Sequence, residues 1–227
     1  PKHLYALKLM GQLYARLEDW TRLEQLLPEL RRHKLLKPAE QQALEHQVYI
    51  ALLTQAGQRG QHQEPGQTNA VTAVWEPLPK TLKQDPALIE VYCLQLRALG
   101  QTELAEETLR HALRQNFNER LVHLYGLVQG KDPARQLTTA EHWLAEHPHN
   151  ATLLLALGRL ALRNSLWGKA REYLEASYGS KRDIQTCAEL VRLLEHLGDQ
   201  AASQAMLHQG FELMANDLPE LPMPTPR

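Results

Sequence analysis

Apolar and small residues recur along this chain at spacings of three and four, the period of one face of an α-helix. Counted from Gly158, they include Ala161, Ala170 and Leu174, with Ser165 and Trp167 between. The same ruler from Cys93 meets Leu96, Gly100, Thr102, Ala105 and Leu109. From Val191 it meets Leu194, Gly198, Gln200, Ser203 and Leu207, and from Gly11 it meets Tyr14, Glu18, Trp20, Leu23 and Leu27. Each window reads as two helical segments broken by a short turn. Gly100 and Gly198 occupy that turn, where a left-handed residue ends a helix.

The windows are spaced as a repeat. Val191 follows Gly158 by one period of about 34 residues, and Gly158 follows Cys93 by nearly two. The interval from Gly11 to Cys93 is longer than two periods, and the surplus has a visible home. "GQRGQHQEPGQ" (57–67) is rich in Gly and Gln and lacks periodicity, so it is expected to be an inserted flexible loop. Two further pairs fill the gaps, about 39–56 with 68–84 and about 118–129 with 133–147. Pro77 and Pro79 predict a kink or a fresh start within the second pair. The tail "LPELPMPTPR" cannot continue a helix, so 217–227 are expected to be a disordered, proline-rich tail. Leu, Ala, Glu, Gln and Arg dominate, β-branched residues are scarce, and strand-like alternation is nowhere sustained. The expectation is an all-α domain over 1–216, with about six helix pairs.

The pattern resembles the tetratricopeptide repeat, a helix–turn–helix unit that stacks into an α-solenoid. "LKLMGQLY" (7–14) comes close to that family's first-helix signature, and "LLALGRLA" (154–161) matches it with Ala161 replacing the aromatic. Small residues at such positions let helices cross closely. Gly158 and Ala170 are the expected joint, with Trp167 packed beside the turn near Leu166 and Leu174.

Charge and chemistry narrow the reading. A net charge of −1 gives no sign of a nucleic-acid binder. Cys93 and Cys187 form no CxxC or zinc spacing and sit on apolar stripes, so both read as core. No aliphatic run approaches a membrane span. Eleven histidines invite a search for a metal site, but His142 and His147 lie five apart and point to different sides of a helix, so no metal site is expected. His149 and the acidic run "ELAEETL" (103–109) read as surface. No Walker loop, GxGxxG, GxSxG or HExxH occurs, so no enzyme or cofactor is expected.

A repeat of this kind implies a concave groove lined by first helices. On the face away from the small crossing residues lie Lys8, Gln12, Arg16, Arg97, Arg120, His123, Arg159, Arg163 and Arg192. The set leans basic and suits an acidic peptide, a carboxylate or another anion.

Some phrases are more specific than the general repeat. "VWEPLPKTLKQDP" (74–86), "NERLVHLYG" (118–126), "DPARQLTTAEHWLAEHP" (132–148) and "LGRLALRNSLWGKAREYLEAS" (157–177) resemble HemY-type proteins of proteobacteria. The resemblance implies an upstream two-helix anchor in the bacterial inner membrane, with the repeats facing the cytoplasm. It also implies a non-catalytic role with enzymes of late haem synthesis as partners. Direct binding of haem or a porphyrin, with arginines for propionates and His123 for iron, is an alternative. A tetratricopeptide adaptor of another envelope-assembly pathway is a further one, although the cysteine module of the lipopolysaccharide-assembly adaptors has no counterpart here. An unrelated flavin-dependent oxidase shares the family label, but the dinucleotide-binding glycines it would need do not occur.

Overall fold

The computed structural model describes residues 2–61 and 69–215, and among these only helices occur as regular elements. They fall into two compact units, Pro1–Leu121 and Val122–Arg227, where the sequence suggests one continuous domain. The first unit holds α1 (Lys2–Arg16), α2 (Trp20–Arg32), α3 (Pro38–Gln61), α4 (Asn69–Trp75), α5 (Lys80–Lys83), α6 (Pro86–Ala98) and α7 (Thr102–Gln115). The boundary falls inside α8 (Glu119–Leu127). The second unit continues with α9 (Pro133–Trp143), α10 (Ala151–Arg163), α11 (Trp167–Ser180), α12 (Ile184–His196) and α13 (Gln200–Ala215).

Six helix pairs result, and the second is interrupted as its prolines require: α4 stops at Trp75 and α5 restarts after Pro79. Within the units, α1 packs on α2, α6 on α7, α10 on α11 and α12 on α13. Successive pairs stack through α2 on α3, α3 on α6, α9 on α10 and α11 on α12. This is a tetratricopeptide-type helical repeat.

Local chemistry sets the helix starts. Asp19, Asp85, Asp132, Asn150 and Asp183 each accept a backbone N–H from the first turn of the helix that follows. Pro86 and Pro133 occupy first-turn positions that need no donor. The turn inside the repeat is more uniform than its sequence. Glu18, Gly100, Ser165 and Gly198 share one repeat position, and all four have positive φ: 54°, 74°, 59° and 78°. Only two are glycine, so two pairs form the same turn in a backbone region that costs an L-residue about 1–2 kcal/mol.

The cores follow the ruler. In the first unit Trp20, Leu23 and Leu27 of α2 bury against Val48 and Leu52 of α3. Trp75 stacks on Tyr92 at 4.3 Å, and burial pushes the Tyr92 hydroxyl up to about 12. In the second, Ala170 and Leu174 of α11 meet Leu190, Leu193 and Leu194 of α12. Both cysteines are free and buried, and burial raises each thiol above its ordinary range.

Gly158 is a close crossing point as expected. A Cβ there would lie 2.6 Å from Leu174 and 3.6 Å from the Ala170 carbonyl oxygen. A second close approach occurs at Gly126, where a Cβ would lie 2.7 Å from the backbone Cα of Ala156.

Two expectations need correction. The loop placed at 57–67 begins later, because α3 continues through Gln61. Gly57 and Gly60 sit three apart on one helix face, where a Cβ would collide with the side chains of Gln95 and Leu99. They make room for α6 rather than breaking a helix. Residues 62–67 and the tail 217–227 lie outside the described residues. The second correction is Trp167, which is 47% exposed. The buried face of α11 runs through Ala170, Leu174 and Ser177. Trp167 stands at the first turn, and its neighbour Gly168 has no side chain or backbone of another element within 4 Å of a Cβ position. Leu166 is exposed as well.

Candidate partner-binding surfaces

In the second unit, two of the arginines placed in a groove prove to be structural. Arg159 is buried; its Nε donates to Glu189 at 3.0 Å and its Nη2 to Gln185 at 2.9 Å, tying α10 to α12. Arg163 caps the C-terminal end of α8. Its Nη1 donates to the carbonyls of Gly126 (3.0 Å) and Val128 (2.6 Å), and its Nη2 to that of Leu127 (2.9 Å). These carbonyls have no partner within their own helix, and a guanidinium fork suits several acceptors at once. Two basic residues among apolar ones on α10 looked like a ligand face because their acceptors lie far off in sequence.

The neighbouring polar residues work with them. Asn164 donates to the carbonyls of Pro133 and Leu160. Lys169 pairs with Glu141, and the Tyr173 hydroxyl donates to the same carboxylate at 2.9 Å. Burial would raise the Glu141 carboxyl, but hydrogen bonds from Lys169 and Tyr173 and the charge of Lys169 outweigh it and hold it below its ordinary value. Gln136 closes the set, accepting from the Gly130 N–H and donating to the carbonyls of Tyr125 and Val128. The segment from Arg163 to Tyr173 is therefore a seam joining the fifth helix pair to the fourth.

The remaining expected residues are more accessible. Arg192 is exposed and reaches Glu189 at 3.2 Å. His123 borders a cavity of about 70 Å³ shared with Thr152, Leu155, Ser177, Lys181 and Gln185. In the first unit, Lys8 and Gln12 line a pocket of about 290 Å³ with Gly11, Leu36, Glu40 and Leu44. Arg16 and Arg97 are exposed and lie outside it, and Arg120 stands 4.0 Å from Glu90. The basic set is thus divided among separate places in its units.

Nothing in the helical periodicity points to a cleft of about 780 Å³ beside α5, α6 and α7. Trp75, Ile89 and Leu121 form its apolar floor, and Lys80, Lys83, Glu107 and His111 stand around it. The restart of the second pair at Pro79 places the two lysines there. The one local mark of this place is the helix break at Pro77 and Pro79. Among the described residues, no group of three or more His, Cys, Asp or Glu could hold a metal ion. No described helix is long and apolar enough to cross a membrane.

The class of protein is now defined: an all-α repeat of tetratricopeptide type, offering shallow surfaces of the size that partner segments or small ligands occupy. Comparison with known proteins adds a particular likeness. The chain is 20% identical to HemY of Escherichia coli K12 over 219 residues, 96% of this chain and 54% of that protein, and HemY of Shigella flexneri matches equally. The chain spans about half the length of these curated relatives. Among solved structures it is similar to MamA of Desulfovibrio magneticus RS-1, with a TM-score of 0.49, 18% identity, and coverage of 75% of this chain and 98% of that one. No family model matches.

Proposed function

We propose that this chain is the repeat-bearing part of a non-catalytic scaffold at the bacterial inner membrane, binding enzymes of late haem synthesis. The likeness to HemY along 96% of the chain carries this reading. The membrane anchor and the haem pathway come from that likeness alone. The helical repeat supplies a physical reason for a scaffold: stacked helix pairs offer grooves for partner segments. With Arg159 and Arg163 engaged internally, the residues proposed for partners are Lys8, Gln12, Arg16, Arg97 and Arg120 on the first unit, and His123 and Arg192 on the second.

The test is co-purification of the tagged full-length protein from crosslinked membranes. Late haem enzymes should be enriched, and charge reversal at Lys8, Arg97 and Arg192 should reduce the yield. Recovery of none of those enzymes overturns the assignment.

A second reading is direct tetrapyrrole binding, at a different place from the one first expected. The cavity beside His123, at about 70 Å³, is large enough for a few waters and too small for a macrocycle. The 780 Å³ cleft has an apolar floor for a ring and Lys80 and Lys83 for propionates. A saturable Soret shift on titration with haem, weakened by Lys80→Glu with Lys83→Glu, supports this reading. A flat titration removes it.

A further inference from the structure

The second helix of a pair lies on the first helix of the next. α2 and α11 do so as unbroken helices of 13 and 14 residues, on α3 and α12. In the second pair that place is shared by α4 and α5, of 7 and 4 residues, each touching α6. Lys83 holds the break in place: its Nζ donates to the Glu76 carbonyl at 2.8 Å and meets the Glu76 carboxylate at 3.6 Å. The cleft of about 780 Å³ opens beside this break. Its lining falls entirely between Trp75 and Leu121, an unbroken stretch inside the first unit.

α7 lacks the groups that close such a seam elsewhere. Eleven residues on along the ruler stand Leu104 in α7, Lys169 in α11 and Ala202 in α13, and fifteen on stand Thr108, Tyr173 and Met206. Lys169 and Tyr173 reach Glu141 of the preceding second helix, α9. Ala202 and Met206 pack on the core cluster that holds Leu174. Leu104 instead stands 37% exposed at the cleft, and Thr108 turns its hydroxyl back onto the Leu104 carbonyl at 2.8 Å. Along the cleft α7 presents Leu104, Thr108, His111, Ala112 and Gln115, one helical face of about three turns. Such a face offers the ridges and grooves on which another helix packs.

We propose that this cleft takes one amphipathic helical segment of a partner protein, lying along α7 where an unbroken second helix of the second pair would lie. Its apolar stripe covers Ile89, Leu104, Ala112 and Leu121, as a helix lays its apolar face into a groove. Charge complementarity sets its flanks. Lys80 on the α5 wall and Glu107 on the α7 wall are both exposed, and among the described residues neither pairs with an opposite charge. The segment therefore carries an acidic residue toward α5 and a basic one toward α7. That the partner is a protein rests on the scaffold reading; the use of this cleft rests on its own geometry.

The experiment is fluorescence anisotropy of a labelled helical peptide titrated with the 227-residue chain at low salt. The probe is about 14 residues long, four turns, with a leucine stripe, glutamates on one flank and lysines on the other. Binding should saturate at one peptide per chain. Lys80→Glu should weaken it about fivefold. A probe with lysines on both flanks should show the reverse preference and bind Lys80→Glu more tightly than the parent. Thr108→Trp, which fills the cleft, should abolish binding. Leu104→Ser, at an accessible site, gives a second variant that should weaken it, and circular dichroism checks the fold of each. Binding that these variants leave unchanged overturns the proposal, because the peptide is then held elsewhere. So does a flat titration, including one in which haem binds and the peptide does not. The assay contains no haem enzyme, so its failure sinks this site and leaves the scaffold reading to the co-purification.

Discussion

At the residue scale, the repeat's turn separates what a sequence displays from what a backbone needs. Gly100 and Gly198 advertise a left-handed turn, whereas Glu18 and Ser165 adopt the same conformation without showing it. Ser165→Gly should therefore stabilise the protein by about 1 kcal/mol, and Gly100→Ala should destabilise it by a similar amount. Chemical denaturation midpoints at constant slope would check both. A Ser165→Gly variant less stable than the parent would show that the hydroxyl matters more than the strain. Trp167 carries the opposite lesson. A large aromatic at a helix start looks like a core residue, but burial depends on what lies opposite, and nothing in the local sequence reports that. Trp167→Ala should cost less than about 1 kcal/mol, against the 3–5 kcal/mol of a buried ring. Trp20, at the same repeat position but packed against α3, should show the larger loss.

At the scale of elements, the six pairs were legible because helix periodicity, capping residues and prolines are written locally. The cross-links between pairs were not. Arg163 acts on carbonyls in α8 and at its C-terminal end, and Lys169 on Glu141 in α9; such partners lie some thirty residues away and become visible only once the helices are packed. Arg163→Met should leave the end of α8 without its donors and cost about 3 kcal/mol, with Arg163→Lys restoring only part, because one ammonium cannot reproduce the fork. Recovery of full stability by lysine would reduce the role to charge alone. The Glu141 pair has a pH signature. Its folded carboxyl titrates below its ordinary value of 4.5, so its contribution is present above that value and is lost as pH falls through the lower folded one. Lys169→Met should be less stable than the parent at pH 7, and the gap should narrow as pH falls below 4.5. A gap that stays constant would mean that the lysine acts through packing.

At the scale of the whole molecule, a repeat protein is stabilised by each helix pair and by contacts with its neighbours, so protection should be graded along the chain. Burial predicts the grading. In α10 every residue from Leu153 to Ala161 is buried, and the helix is held by α9 on one side and α11 on the other. Among the described residues of α13 only Ser203 and Gly210 are buried. Of α1, only Leu7 and Gly11 are buried among the residues whose side chains are described. Hydrogen exchange read by mass spectrometry at low protein concentration should therefore find α10 slowest and α1 and α13 fastest. The order follows from apolar contact rather than helix propensity, since α1 and α13 are rich in good helix formers as well. Equal protection of α1 and α10 at low concentration would mean that the terminal helix is held by something other than the contacts described.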